Sequence, residues 1–206
     1  MLELDESAPV AIGEHRKIFE HPEDRNLCIK VIWDGGAKET QREEKYYRLL
    51  EKKNISWELL PRYYGFIETN LGRGAIFDLV RDYDGGLSRS LGYYIASDTL
   101  EEAHQLSLSR AFVALKEYLC RYGVITMKLK SQNIVFRKLD DVEGELILVD
   151  SVGNSDLLPI CDYSAFFARR KVLRKWRRFE TSLMTQPMVN SSLHQMLKNR
   201  LRERLI

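Results

Sequence analysis

Two polar residues stand at the ends of two short apolar runs: Asn133 directly before IVF and Asp150 directly after ELILV. If both runs are strands, the side chains meet at neighbouring strand ends. Two hard oxygens there could share a Mg²⁺ whose shell is completed by phosphate. Asp150 could equally cap the turn of a β-hairpin. A third candidate is Lys30, a charge in the otherwise apolar run CIKVI. It needs a partner or a wet cavity, because burying it unpaired costs several kcal/mol; on an edge strand it would point to water. Glu43 is its natural partner, since it shares a helical stripe with Tyr47 and Leu50. Glu39 lies one turn earlier on the same face, and a solvated glutamate in a charged helix is the ordinary alternative.

The elements that must position these residues follow from periodicity. VAIGEH, RKIFEH and LCIKVIW cluster β-branched and aromatic residues around the turn material HPEDRN, which predicts an antiparallel meander. KETQREEKYYRLLEKK predicts an amphipathic helix, and RYYGFIET and GAIFDLVRD, separated by NLGR, predict two more strands. The paired glycines of DYDGGLSRS mark a hinge, dividing the chain into residues 1–84 and 85–206. DTLEEAHQLSLSRAFVALKEYLCRYG then predicts a long core helix. Its caps are Asp98 with Glu101 or Thr99 with Glu102, its apolar positions are Ala111, Leu115, Leu119 and Tyr122, and its stop is Gly123. Strands over IVF and ELILVD and a largely helical C-terminal third complete the order.

With 206 residues, 44% hydrophobic and 30% charged, the chain is long enough for one large domain or two lobes with a sizeable core. No apolar run is long enough to span a bilayer, and the start MLELDESAPV is acidic where a secretory signal would be basic then apolar, so a cytoplasmic protein is expected. Cys28, Cys120 and Cys161 are widely spaced and read as buried free thiols rather than a zinc site, and His104 and His194 read as structural. The net charge is only +2, but Lys and Arg gather in ARRKVLRKWRRF, residues 168–179, and in KNRLRERL near the end. A helix over 168–179 places Val172, Leu173, Trp176 and Phe179 on one side and cations around the rest. Such a helix can meet nucleic acid, anionic membrane or an acidic partner, although a solvated face is the favoured reading.

The loop TMKLKSQN before IVF resembles the protein-kinase catalytic loop H-R-D-L-K-x-x-N, with Lys128 where the Asp belongs. The order of elements likewise resembles the protein-kinase-like fold: an α+β, bilobal architecture with a small antiparallel five-strand N-lobe carrying one helix, and a shortened, mostly helical C-lobe. The stretches IGEHRKIFEHPED, CIKV, KYYRLL, PRYYG, VITMKLKSQNIV and VDSVGNS are similar to the PhoP regulatory network protein YrbL family. The kinase-like resemblance implies ATP and Mg²⁺ as ligands, with Lys30 holding phosphates beside Glu43 and with Asn133 and Asp150 holding the metal.

Departures from the kinase pattern are equally specific. Of G-x-G-x-x-G only Gly13 remains, with His15, Arg16 and Lys17 left to contact phosphates by side chain or to lie solvated, and D-F-G has become Asp-Ser-Val-Gly. Lys128 is already protonated near neutrality and cannot serve as general base. Lys128 and Lys130 could instead neutralise a transferring phosphoryl group, or face solvent as a remnant. No A-P-E anchor follows Asp150, so a protein is not expected to dock as a usual kinase substrate. The expectation is a weak or atypical phosphotransferase with an unknown small-molecule or protein acceptor; the alternative is a pseudokinase acting as a regulatory interaction module.

Overall fold

A computed structural model describes residues 1–96, 100–156, 160–185, 194–195 and 198–199. Five strands, β1 (Ala11–Ile12), β2 (Arg16–His21), β3 (Asp24–Ile32), β4 (Tyr63–Thr69) and β5 (Gly72–Asp78), form an antiparallel sheet in the order β1-β2-β3-β5-β4. β3 is the central strand, and both of its faces are covered. Ile29 and Val31 pack with Leu4 and Phe19 on the outer side, where the N-terminal segment is held by reciprocal hydrogen bonds between Leu4 and Asn70 at 2.8 and 2.9 Å. Cys28 and Lys30 point the other way, so Lys30 cannot be an edge residue turned to water.

Helix α1 (Ala37–Lys52) lies against this sheet, burying the expected Glu43, Tyr47 and Leu50 together with Thr40 and Tyr46. Its start depends on a glycine. Gly36 has φ of 72°, and a Cβ there would come within 2.6 Å of the Cβ of His15, so a larger residue would push the β1–β2 turn away from the helix.

The second half is built on α3 (Glu102–Tyr122) with α2 (Leu91–Ala96), α4 (Ile160–Tyr163) and α5 (Ala165–Met184), and a small antiparallel sheet β6-β7-β8 (Arg89–Ser90, Ile134–Lys138, Gly144–Leu148). Ala111, Leu115 and Leu119 are buried as expected, Tyr122 is half-buried, and Gly123 ends α3 in the left-handed conformation, φ 63°. Glu101, with no side-chain cap bond, precedes the first turn; the proposed caps Asp98 and Thr99 lie outside the described residues. Phe112 packs on Trp176 and Phe179 at ring distances of 4.8 and 6.0 Å, joining α3 to α5. Of the three cysteines only Cys28 is buried; Cys120 and Cys161 are half-buried free thiols, which corrects that expectation.

One hydroxyl ties the two halves together. Tyr46 of α1 donates to Gly123 O at 2.9 Å and accepts from Ile125 N at 3.0 Å, satisfying two buried backbone groups at the end of α3. Tyr46→Phe keeps the ring and strands both groups. It is expected to destabilise the protein by about 1–3 kcal/mol in chemical denaturation, and an unchanged midpoint would show that this tether carries no stability.

Candidate functional site

A cavity of about 410 Å³ opens between the five-stranded sheet and the second half, with Gly13, Ile18, Cys28 and Lys30 on one wall and Asn133 and Asp150 on the other. It continues into a smaller cleft of about 290 Å³ lined by Glu14, Arg16, Glu39, Lys128 and Lys130. The sequence-derived candidates therefore converge on one region.

Lys30 is 4% exposed. Its ammonium donates to Val149 O at 2.6 Å and stands 4.3 Å from the centre of the Phe77 ring. Burial pushes its pKa down to about 8 against the pull of the Glu43 carboxylate. The expected Lys30–Glu43 ion pair is not what forms. Glu43, 2% exposed, takes Arg16 at 2.5 Å with one oxygen and the backbone N–H of Val152 at 3.2 Å with the other. Arg16 sits at the start of β2, on the face that Ile18 and the Lys30 of β3 share, and its forked guanidinium reaches both acids.

The second acid is Asp150, which takes the other Arg16 nitrogen and accepts from Ser151 N at 2.6 Å. The β7–β8 register pairs Ile134 with Leu148, so the residues just outside that pair are neighbours: Val149 N donates to Asn133 O at 2.9 Å. Asn133 Nδ2 donates to Lys128 O at 2.9 Å and to Ser151 Oγ at 3.1 Å, which fixes the amide orientation. Asn133 and Asp150 thus lie at adjacent strand ends as the sequence implied, and Asp150 is not left to cap a hairpin, since the β7–β8 turn is closed at its far end by Asp140.

Lys128 is clamped between Glu14 and Glu39, 3.3 Å from each, and Lys130 is 3.9 Å from Glu14. Desolvation works against the charge on Lys128, but the hydrogen bonds it donates to Glu39 and Glu14 outweigh it and hold its pKa above the ordinary value. Glu14 is correspondingly lowered, first by its hydrogen bond with Lys128. Of the three basic residues after Gly13, Arg16 and His15 line the smaller cleft and Lys17 does not. His15 turns to Asp34 O at 2.7 Å, and Lys17 turns to Glu6 at 3.2 Å. Gly13 closes the β1–β2 turn through its N–H to Arg16 O at 2.8 Å.

From the sequence Arg16 is expected to contact phosphate by side chain or to lie solvated, and Lys171 and Lys175 read only as cations of a basic helix; the contacts these three make are not foreseen there. Lys175 donates to Met127 O at 2.9 Å and buried Lys171 pairs with Asp156 at 2.6 Å, so the basic helix holds the loops on either side of Asn133 and Asp150. The period-two pattern from Ile18 already placed Arg16 inward, whereas nothing in a run of cations distinguished Lys171 and Lys175 from their solvated neighbours.

A five-stranded antiparallel sheet with one helix, a cavity beneath it, and an Asn and an Asp at paired strand ends define the class: the chain has the bilobal protein-kinase-like fold. A crystal structure of Rad53 1-466 in complex with AMP-PNP superposes with a TM-score of 0.59 at 16% identity; the match covers 96% of this chain and 52% of that one, so the chain spans about half of that structure. More particularly, the chain belongs to the PhoP regulatory network protein YrbL family, whose profile matches residues 2–184. It is 36% identical over 203 residues to the uncharacterized protein YrbL of Escherichia coli, covering 97% of this chain and 94% of that protein, and equally to its Shigella flexneri counterpart.

The buried Lys30 gives a test that needs no ligand. Its folded-state pKa of about 8 lies below the ordinary value of 10.5, so its charge opposes folding at every pH below 8, and that opposition fades between 8 and 10.5. Lys30→Met is expected to raise stability at pH 7 by up to about 3 kcal/mol, with the gain shrinking as pH rises through that window. A variant less stable than wild type across the whole range would mean that the Val149 bond outweighs the desolvation.

Proposed function

We propose that this protein binds ATP with Mg²⁺ in the cavity between its lobes, residues 1–84 and 85–206, and is an atypical, weakly active phosphotransferase of the cytoplasm acting on an unidentified acceptor. The observation that carries this reading is a desolvated ammonium, Lys30, facing a cavity whose opposite wall carries Asn133 and Asp150. A buried cation held at an energetic disadvantage is suited to a polyanion that enters and restores its charge. Rad53, the structural neighbour, was solved with AMP-PNP.

The oxygen donors suit the metal. Asn133 spends both amide hydrogens within the protein, leaving its amide oxygen to face other ligands, and Asp150 commits one carboxylate oxygen to Arg16 and Ser151. Bound there, Mg²⁺ would neutralise charge on the phosphate oxygens. Lys30 would hold the phosphates, Glu43 would hold Arg16 in place, and Lys128 and Lys130 would face the terminal phosphate from the adjoining cleft. The β1–β2 turn at Gly13 would close over the nucleotide with little backbone contact. Free thiols at Cys28, Cys120 and Cys161 accord with a reducing compartment, and no helix among the described residues is long and apolar enough to cross a membrane.

Thermal unfolding with and without Mg-ATP tests this directly. At about 100 times its dissociation constant the ligand should add about 2.7 kcal/mol to wild-type stability, and Asp150→Ala should lose the magnesium-dependent part. No shift in wild type would sink the reading.

A second reading, a regulatory pseudokinase that binds nucleotide without turning it over, is favoured by the clamp on Lys128 and by the hold of Arg16 on Asp150. Lys128→Asp returns a base to the loop, a group that typically contributes about 10² to 10⁴-fold. A rise in ATP turnover of that order would support the phosphotransferase reading; nucleotide binding with no turnover in either protein would establish the second.

A further inference from the structure

The outer side of α5 presents a surface that the site does not use. The inner side, Ala168, Val172, Trp176, Phe179 and Leu183, is buried against the rest of the fold. Phe166, Arg170, Arg174 and Arg177 follow one another at one-turn intervals on the opposite side, and with Phe167 and Arg178 all are exposed. Glu180, the acid of α5, is buried beside Trp176 and Lys116 and does not reach this face. Among the described residues the ion pairs of α5 are made by Lys171 and Glu180, and none by these arginines.

Exposed apolar side chains are concentrated at one end of this stripe. Ile160, Tyr163, Phe166 and Phe167 are 54, 76, 68 and 47% exposed. A lone exposed apolar residue is ordinary, but so close a group next to unpaired cations is a docking signature. A straight helical face of cations roughly 16 Å long, from Phe166 to Arg177, matches a plane better than a grooved polymer.

We propose that this face of α5 docks on an anionic phospholipid bilayer, with Phe166 and Phe167 entering the interface and Arg170, Arg174, Arg177 and Arg178 meeting lipid phosphates. Aromatic rings favour the headgroup boundary, and juxtaposed cations are drawn to acidic lipid. A single-stranded nucleic acid is less well suited. The Phe166 and Phe167 rings pack edge to face on each other at 5.4 Å instead of standing as separate stacking platforms, and Ile160 offers nothing to a base. Lys171 and Lys175 of the same helix reach the loops at Asp156 and Met127, so docking would place the lipid surface on the far side of the helix from the nucleotide cavity. The proposal does not depend on that cavity being occupied.

Flotation of the full chain with phosphatidylcholine vesicles, with and without phosphatidylglycerol, tests it. Association is expected only with the phosphatidylglycerol vesicles and should be lost at about 0.5 M salt. Phe166→Ala with Phe167→Ala should weaken it by at least about tenfold, Arg170→Glu with Arg174→Glu should abolish it, and Arg170→Lys with Arg174→Lys should retain it, all at wild-type melting temperature. No association, equal association with neutral vesicles, or binding to single-stranded RNA that displaces the vesicles and survives loss of both phenylalanines would each overturn it.

Discussion

Glu43 sets the terms for the rest of the structure. A carboxylate on the inner stripe of α1 cannot be buried without partners, and it takes them from two places that are far apart in sequence: Arg16 on β2 and the Val152 N–H beyond β8. That one demand fixes the rotation of α1, brings the β1–β2 turn down on the cavity, and draws the segment after Asp150 up against the N-terminal half. Because Arg16 is forked, its second arm can take Asp150 as well. Tyr46, one turn further along α1, adds a neutral tether to Gly123 and Ile125. Helix α1 thus contributes one charged and one neutral network to the contact between the lobes, beside the bond of Lys30 to the Val149 carbonyl.

The same arrangement explains how so many charges coexist in the cleft. Arg16, Lys128 and Lys130 are answered by Glu43, Asp150, Glu14 and Glu39, each from another element. Lys30 is the exception. It has a carbonyl and a ring face but, among the described residues, no carboxylate within ion-pair distance, and burial lowers its pKa more than the Glu43 carboxylate raises it. In the proposed nucleotide complex, an incoming phosphate would gain more from Lys30, which has no counter-ion of its own, than from Lys128.

The order of the longer strands and helices was legible from their composition and period, whereas the short β6 and α2 after the hinge were not foreseen. α1 buries the residues that the helical stripe picks out, while β3 buries the consecutive run Cys28–Val31 because both its faces are covered, and reads as a strand from its cluster of apolar residues. The convergence of Lys30, Asn133 and Asp150 was legible for the same reason: strand ends that pair must bring their flanking residues together. Ion pairing was not. Glu43 has a lysine and an arginine within reach, and the choice depends on the angle at which β2 meets α1, which is a property of the packed sheet and leaves no local trace. In the sequence Arg16 reads as a phosphate contact or a solvated residue of the turn, and not as the partner of two acids.

The segment from 168 to 179 shows where composition misleads and why. A count of cations treats its lysines and arginines alike, yet the fold separates them. Lys171 and Lys175 turn inward, where an ammonium on a flexible stem can reach Asp156 and the Met127 carbonyl, while Arg170, Arg174, Arg177 and Arg178 remain outside. The two positions also differ in what they can tolerate. An inward lysine must be matched by a fixed acceptor and so belongs to the fold, whereas the outward arginines are matched by nothing among the described residues and are open to a partner outside the chain. α5 thus carries loop anchors on one side and, among the described residues, cations without an ion pair on the other, a division that a count of basic residues does not show.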